Sequence, residues 1–189
     1  MLADRGKHRL YIVLQYRGAG PPGYHIALLL APKNETAGPD TREAHRFHVT
    51  NSFSPGAVIG SDGKPLWRYE HEPVNTIRVE NIVARVLIAK LPSSTTLPDC
   101  AADISQMLEG VPLVQEDGSW RCHHWAWQAM HSLKVRGGNW STIPDVVAGG
   151  EVEAKMNKAG DEGTKKRFGA GYIPISMPSQ IHTIDLRDK

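Results

Sequence analysis

One cysteine of this chain stands where a helix is expected to begin. Cys122 lies in the segment WRCHHWAW, residues 120–127, directly after a polar turn. The free backbone N–H groups and the dipole at a helix N-terminus favour a thiolate over a thiol. Since a thiolate is a nucleophile towards acyl carbonyl groups, the position of Cys122 predicts acyl-transfer chemistry.

Two histidines in strand-like segments upstream are candidates for the base that such a thiol needs. We predict that Cys122 is the nucleophile, His25 the general base and His48 the residue that orients the His25 ring. His45 faces the other side of its strand from His48, so at most one of these two can reach the site. The alternative for Cys122 is the buried, inert role that most free cysteines have, which we assign to Cys100.

Aromatic and polar side chains around the cysteine are candidates for substrate contacts. These predicted contacts are Trp120, Arg121, His124, Trp125 and Trp67. For the tryptophans, packing in the core is the alternative. A metal is not predicted, because neighbouring histidines on a helix point about 100° apart and no second pair of ligands follows. No organic cofactor is predicted either.

A basic cluster towards the C-terminus is a candidate contact for nucleic acid. It consists of Lys155, Lys158, Lys165, Lys166 and Arg167. The ordinary interpretation is a solvated helix end, and the alternative is a phosphate-facing patch for tRNA or an anionic substrate. The net charge of +2 is too small to indicate nucleic acid by itself.

The composition is typical of one folded domain. The chain has 189 residues, of which 40% are hydrophobic and 22% charged. We predict a single domain over 1–189, with its core at about 8–158 and an irregular tail at 160–189. The first seven residues do not resemble a secretory signal, and no apolar run approaches the roughly 18–20 residues that span a bilayer. A cytoplasmic protein without a membrane span is therefore expected; its oligomeric state is left open.

The secondary-structure elements that must position these side chains follow a simple order along the chain: the predicted strands come first and the predicted helices follow. β-branched and aromatic content predicts strands at 8–16, 24–31, 45–51, 67–70 and within 76–91. Gly- and Pro-rich segments predict loops at 18–23, 32–43 and 52–66. Apolar spacing with flanking Pro and Gly predicts helices at 98–110, 122–134 and between 144 and 158. This order predicts an α+β fold, an antiparallel sheet with helices on one side.

The order of the motifs resembles the circularly permuted papain-like fold, which includes lecithin:retinol acyltransferase-like proteins and related cysteine peptidases. The matching pieces are YHIA, RFHV and CHHW, at residues 24–27, 46–49 and 122–125. The resemblance covers about residues 8–135 and implies the same nucleophile, base and orienting residue: Cys122, His25 and His48. Arg121 departs from that group, in which many members have Asn before the cysteine.

The chain is also similar to a set of fungal proteins that share PPxYH, FHVTN, WxYE and RCxxW motifs. Some fungal proteins that were once labelled hypothetical are arginine-containing cyclodipeptide synthases of secondary metabolism, which use aminoacyl-tRNA. That resemblance implies a thiol that accepts an aminoacyl group and passes it to an amine. The basic cluster would then contact the tRNA.

Three functions follow from these observations. The first is a thiol-dependent enzyme that transfers or hydrolyses the acyl group of a small-molecule ester, thioester or amide donor. The second is the aminoacyl-tRNA-dependent cyclodipeptide synthase. The third is a binding module on the same fold without catalysis, in which Trp67, Trp120 and Trp127 would be the contact residues.

Overall fold

The computed structural model describes residues 7–18, 22–35, 42–79 and 81–188. Parts of the loops predicted at 18–23 and 32–43 lie outside these residues, and so does the N-terminal segment that was compared with a secretory signal. The strands are β1 (Lys7–Tyr16), β2 (Tyr24–Ala31), β3 (Ala44–Thr50), β4 (Arg68–Val74), β5 (Ile82–Pro92) and β6 (His182–Asp185). The helices are α1 (Leu97–Leu108), α2 (Cys122–Lys134) and α3 (Glu151–Phe168).

The six strands form one mixed sheet in the order β4-β3-β2-β1-β5-β6. The pairs formed among the first five strands are all antiparallel, whereas β6 runs parallel to β5. The α+β class is confirmed, but the prediction of a purely antiparallel sheet is wrong at this edge. The reason is the connection between these two strands, which crosses over through all three helices and so returns the chain in the same direction.

The sheet is buried on both faces. Leu10, Ile12 and Leu28 pack against the three helices, on a side that we call the helix face. Tyr11 and Leu29 alternate with them and pack on the opposite face, together with residues from the C-terminal segment. Because both faces are covered, β1 reads as a nearly continuous apolar run instead of an alternating one.

The C-terminal third differs most from its prediction. The last helix does not lie between 144 and 158: it begins after Gly150 and extends to Phe168. The tail predicted at 160–189 is not irregular, since it contains the end of α3 and all of β6. The buried side of α3 carries few large apolar residues, and for this reason its hydrophobic period was weak. These buried residues are Met156, Ala159, Gly160, Gly163 and Arg167.

Two glycines on that side let α3 lie directly on the sheet. A Cβ at Gly160 would come within 2.5 Å of the Tyr24 ring, and a Cβ at Gly163 would overlap the carbonyl oxygen of Val83. Backbone contacts of this closeness leave no room for a side chain. The sheet position of α3 therefore depends on these glycines.

We expect Gly163→Ala to lower the free energy of unfolding by about 1–3 kcal/mol or more, because α3 would have to move off the sheet. Urea denaturation measures the effect. Gly110→Ala is the matched control, since its Cβ would meet the Met107 carbonyl oxygen at an ordinary 3.7 Å. Equal unfolding midpoints for the two variants would contradict the expectation.

Candidate functional site

Cys122 is the first residue of α2, as predicted, and its side chain is completely buried at the helix face. The preceding Arg121 is extended, and its backbone N–H donates to Nδ1 of His124 at 2.9 Å. The Arg121 guanidinium folds back onto the carbonyl oxygens of Gly118 and Trp120, at 2.6 and 2.7 Å. These contacts fix the start of the helix and, with it, the position of the sulfur.

An arginine that the sequence analysis did not identify covers the thiol. Arg17 follows the last residue of β1, and its Nη2 donates to Sγ of Cys122 at 3.2 Å. No carboxylate pairs with Arg17 among the residues that the structure describes. The guanidinium therefore places a positive charge beside the sulfur. Arg17 lies one residue after the strand predicted at 8–16, and this position at a strand end was the signal that could have identified it.

The two predicted histidines form a pair. Nε2 of His25 lies 3.0 Å from Nδ1 of His48, and Nε2 of His48 lies 3.3 Å from a Glu70 carboxylate oxygen, out of line for a hydrogen bond. Burial, followed by the charges of Arg17 and Arg46, lowers the pKa of His25 to about 4. Burial, followed by the charges of Arg46 and His25, lowers the pKa of His48 to about 2. Both rings are therefore neutral at pH 7.

The structure does not bring this histidine pair to the thiol. Ile26 packs at the helix face with Cys122, and His25 is the next residue along the same strand, so its side chain lies on the opposite face. The same alternation separates His48 from Phe47, which belongs to the helix face. Among the described residues, no hydrogen bond joins either histidine to Cys122. Cys122 and His25 therefore make no direct contact, although His25 lines the same cleft as Arg17, whose charge acts on its ring.

The predicted substrate contacts divide into packing residues and cleft residues. Trp125 is fully buried in the core and packs against Tyr69, with ring centroids 5.7 Å apart. Trp120 is 5% exposed and packs edge-on against Trp67, with ring centroids 5.1 Å apart. His124 is a capping residue of α2. Trp67 and Arg121 line an open cleft.

This cleft has a volume of about 500 Å³ and lies where the loop before β4 faces the start of α2. Its wall includes Arg17, His25, Lys64, Trp67 and Arg121. The rim is held by Gln115, whose side chain forms two hydrogen bonds with the backbone of Trp67, at 2.7 and 2.8 Å.

Positive charge dominates the chemistry of the cleft. Of its two carboxylates, Asp62 lies 3.7 Å from Lys64, and Asp117 accepts hydrogen bonds from Ser119. In the described part of the chain, neither Arg17 nor Arg121 has a carboxylate partner. Guanidinium groups bind carboxylates and phosphates through paired hydrogen bonds. The cleft is therefore suited to an anionic ligand.

The basic cluster on α3 is smaller than predicted. Arg167 is 8% exposed and donates to the carbonyl oxygen of Ile82, so little of its guanidinium is at the surface. Lys155 and Lys158 each lie within 4 Å of a glutamate one turn away on the same helix. Lys165 and Lys166 remain exposed. The cluster therefore presents less free charge than its sequence indicates.

Among the described residues, no group of three or more His, Cys, Asp or Glu side chains is arranged to hold a metal ion. None of the helices in this part of the chain is both long and apolar enough to cross a membrane.

Together these features define an α+β protein with a buried thiol beneath an arginine, beside a cationic cleft at one end of a mixed sheet. Residues 7–158 match the family model DUF6914, a family of unknown function, and the chain belongs to this family. No curated protein and no solved structure matches the chain. The family does not carry an assigned activity.

Proposed function

We propose that this protein is a thiol-dependent acyl-transfer enzyme in which Cys122 is the nucleophile and Arg17, instead of His25, stabilises its thiolate. The observation that carries the proposal is the 3.2 Å contact from Arg17 Nη2 to Cys122 Sγ. The N-terminus of a 13-residue helix acts in the same direction on the sulfur. These two contributions replace the general base that a dyad would supply.

The chemistry uses few groups of the chain. The thiolate forms a bond to the carbonyl carbon of the donor, and the carbonyl π electrons move to oxygen. Collapse of this intermediate expels the leaving group, which takes a proton from solvent. Water or an amine then attacks the acyl carbon and loses a proton to solvent, and this second intermediate collapses to the acid or amide and the free thiolate. The backbone N–H of Cys122 is the candidate donor to the oxyanion.

Access to the sulfur depends on Arg17. Cys122 is fully buried and does not line the cleft, whereas Arg17 both lines the cleft and contacts the sulfur. An anionic group on the donor would pair with the guanidinium from the cleft side while Nη2 keeps its contact with the sulfur, which places the donor next to the thiolate. We therefore propose a donor with a carboxylate or phosphate group, held by Arg17 and Arg121. An aminoacyl-tRNA is a narrower form of the same class.

A binding module without catalysis is the second candidate. It is favoured by the complete burial of Cys122 and by the position of His25 on the opposite face of the sheet. In that case the cleft would bind the same anionic ligand, and the thiol would serve only to place Arg17. The two candidates differ in whether Cys122 becomes acylated.

Acylation by matched esters tests the proposal. We expect the p-nitrophenyl monoester of adipate to acylate Cys122 at least about tenfold faster than neutral p-nitrophenyl hexanoate, since charged hydrogen bonds contribute about 1.5–3 kcal/mol. Peptide mass spectrometry identifies the acylated residue. Arg17→Gln is expected to remove the preference, and Lys64→Gln, which changes a cleft residue without contact to sulfur, to retain most of it.

Either of two results would reject the proposed acyl-transfer activity. One is equal acylation of Cys122 and Cys100, which would indicate unselective chemistry. The other is an adipate monoester that binds in the cleft and leaves Cys122 unmodified, as the binding module requires.

A further inference from the structure

A second cavity lies between the end of α3 and the segment that leads to β6. Its volume is about 220 Å³. Most of its wall is apolar and consists of Val83, Ile173, Pro174, Ile175 and Ile181. None of these residues lines the cleft described above, so the cavity is a separate feature.

A buried guanidinium forms part of this wall. Arg167 is 8% exposed, and its Nη1 donates to the carbonyl oxygen of Ile82 at 2.6 Å. Its Nη2 lies 3.4 Å from the Tyr172 hydroxyl, and its Nε is buried without a hydrogen-bond partner. No carboxylate pairs with Arg167 among the described residues.

A buried cation without a counter-ion is costly. The rings of Phe168 and Tyr172, each with its centroid 5.5 Å from the guanidinium carbon, offset part of this cost. Lys166 adds a second positive charge to the wall. The carboxylate of Glu162 lies 3.2 Å from Nε2 of His182, another wall residue, which leaves Arg167 uncompensated.

We infer that this cavity binds a short monocarboxylate with an apolar body. The carboxylate would pair with the Arg167 guanidinium, and the hydrocarbon would lie against the isoleucines. The cavity is smaller than the roughly 300–1,000 Å³ of sites for drug-sized ligands, which limits the ligand to a short chain. The apolar wall favours such a ligand over a free phosphate, which has no apolar part to bury.

Isothermal titration calorimetry with three probes tests the inference. We expect hexanoate to bind at one site, and both hexanol and inorganic phosphate to bind at least about tenfold more weakly. A binding affinity for hexanol equal to that for hexanoate would overturn the inference, because the carboxylate charge would then have no role. Phosphate that binds as tightly as hexanoate, or more tightly, would overturn the inference too. The absence of hexanoate binding would do the same.

Substitutions at Ile173 locate the binding site without removing a buried residue. Ile173 is 54% exposed and its backbone N–H bonds to the Arg167 carbonyl oxygen at 2.9 Å, so a new side chain there is tolerated. Ile173→Glu supplies a carboxylate of the chain itself and is expected to weaken hexanoate binding at least about tenfold.

Two controls accompany this variant. The uncharged Ile173→Gln should change the affinity for hexanoate less than about threefold. Lys165→Ala removes an exposed charge from α3, the helix that carries Arg167, and should leave the affinity unchanged. Hexanoate binding to Ile173→Glu that matches the unmodified chain would place the ligand elsewhere and overturn the inference. Hexanoate also carries a carboxylate that the cleft could hold, so these titrations all use Arg17→Gln as their common background, which removes that contact. Their failure in this background leaves the proposed function untouched.

Discussion

Replacing Cys122 by alanine is expected to reduce acyl transfer by a factor on the order of 10³–10⁶, with the fold retained. The substitution removes the only atom that can form the bond to the donor in the proposed mechanism. It removes one buried sulfur, which costs little stability because alanine suits a helix. Turnover of the adipate monoester measures the loss, and circular dichroism measures the retained helix content.

Cys100→Ala is the matched control for this variant. Cys100 is also a buried cysteine in the first turns of a helix, α1, but burial and then the charge of Asp103 raise the pKa of its thiol to about 11. We expect this control to keep full turnover. Full turnover in Cys122→Ala as well would exclude the thiol mechanism and leave the cleft as a binding site.

Acid is expected to destabilise the protein steeply through the buried histidine pair. The folded-state pKa values of about 4 for His25 and about 2 for His48 lie below the unfolded value near 6.5. As the pH falls through 6.5, the unfolded chain therefore takes up protons that the folded chain excludes. Well below 6.5, each neutral ring lowers the free energy of unfolding by about 1.4 kcal/mol per pH unit.

Urea denaturation between pH 7 and 4 measures this dependence. The variant with both His25→Gln and His48→Gln should show a shallower loss of stability over this range, whatever its stability at neutral pH. His131→Gln, at an exposed position of α2, is the control and should follow the unmodified protein. Parallel curves for the double variant and the unmodified protein would show that the pair does not exclude protons.

Local signals in the sequence were sufficient for most of the elements. The strand β2 occupies the predicted residues 24–31, and α2 begins at Cys122 and ends at Lys134, as predicted. In both cases the boundaries depend on neighbours along the chain: turn residues before the strand, and Gly137–Gly138 after the helix. The weakly patterned α3 was misjudged because glycines occupy its buried side.

The site illustrates what sequence alone could not determine. The types and spacing of Cys122, His25 and His48 indicated a catalytic set, but spacing along a strand does not fix which face a side chain occupies. A shift of one residue exchanges the two faces, and only the pairing of β2 in the sheet decided that His25 lies away from the thiol. Its contact with His48 formed as predicted, since both are on the same side.

By itself, the sequence determined an α+β chain with a cysteine at a helix start, because periodicity and capping depend on residues within a turn or two. The tertiary structure alone placed Arg17 on the sulfur and Arg167 inside a cavity. It also set β6 parallel to β5. Each of these contacts joins segments far apart in the chain, so no local pattern encodes them.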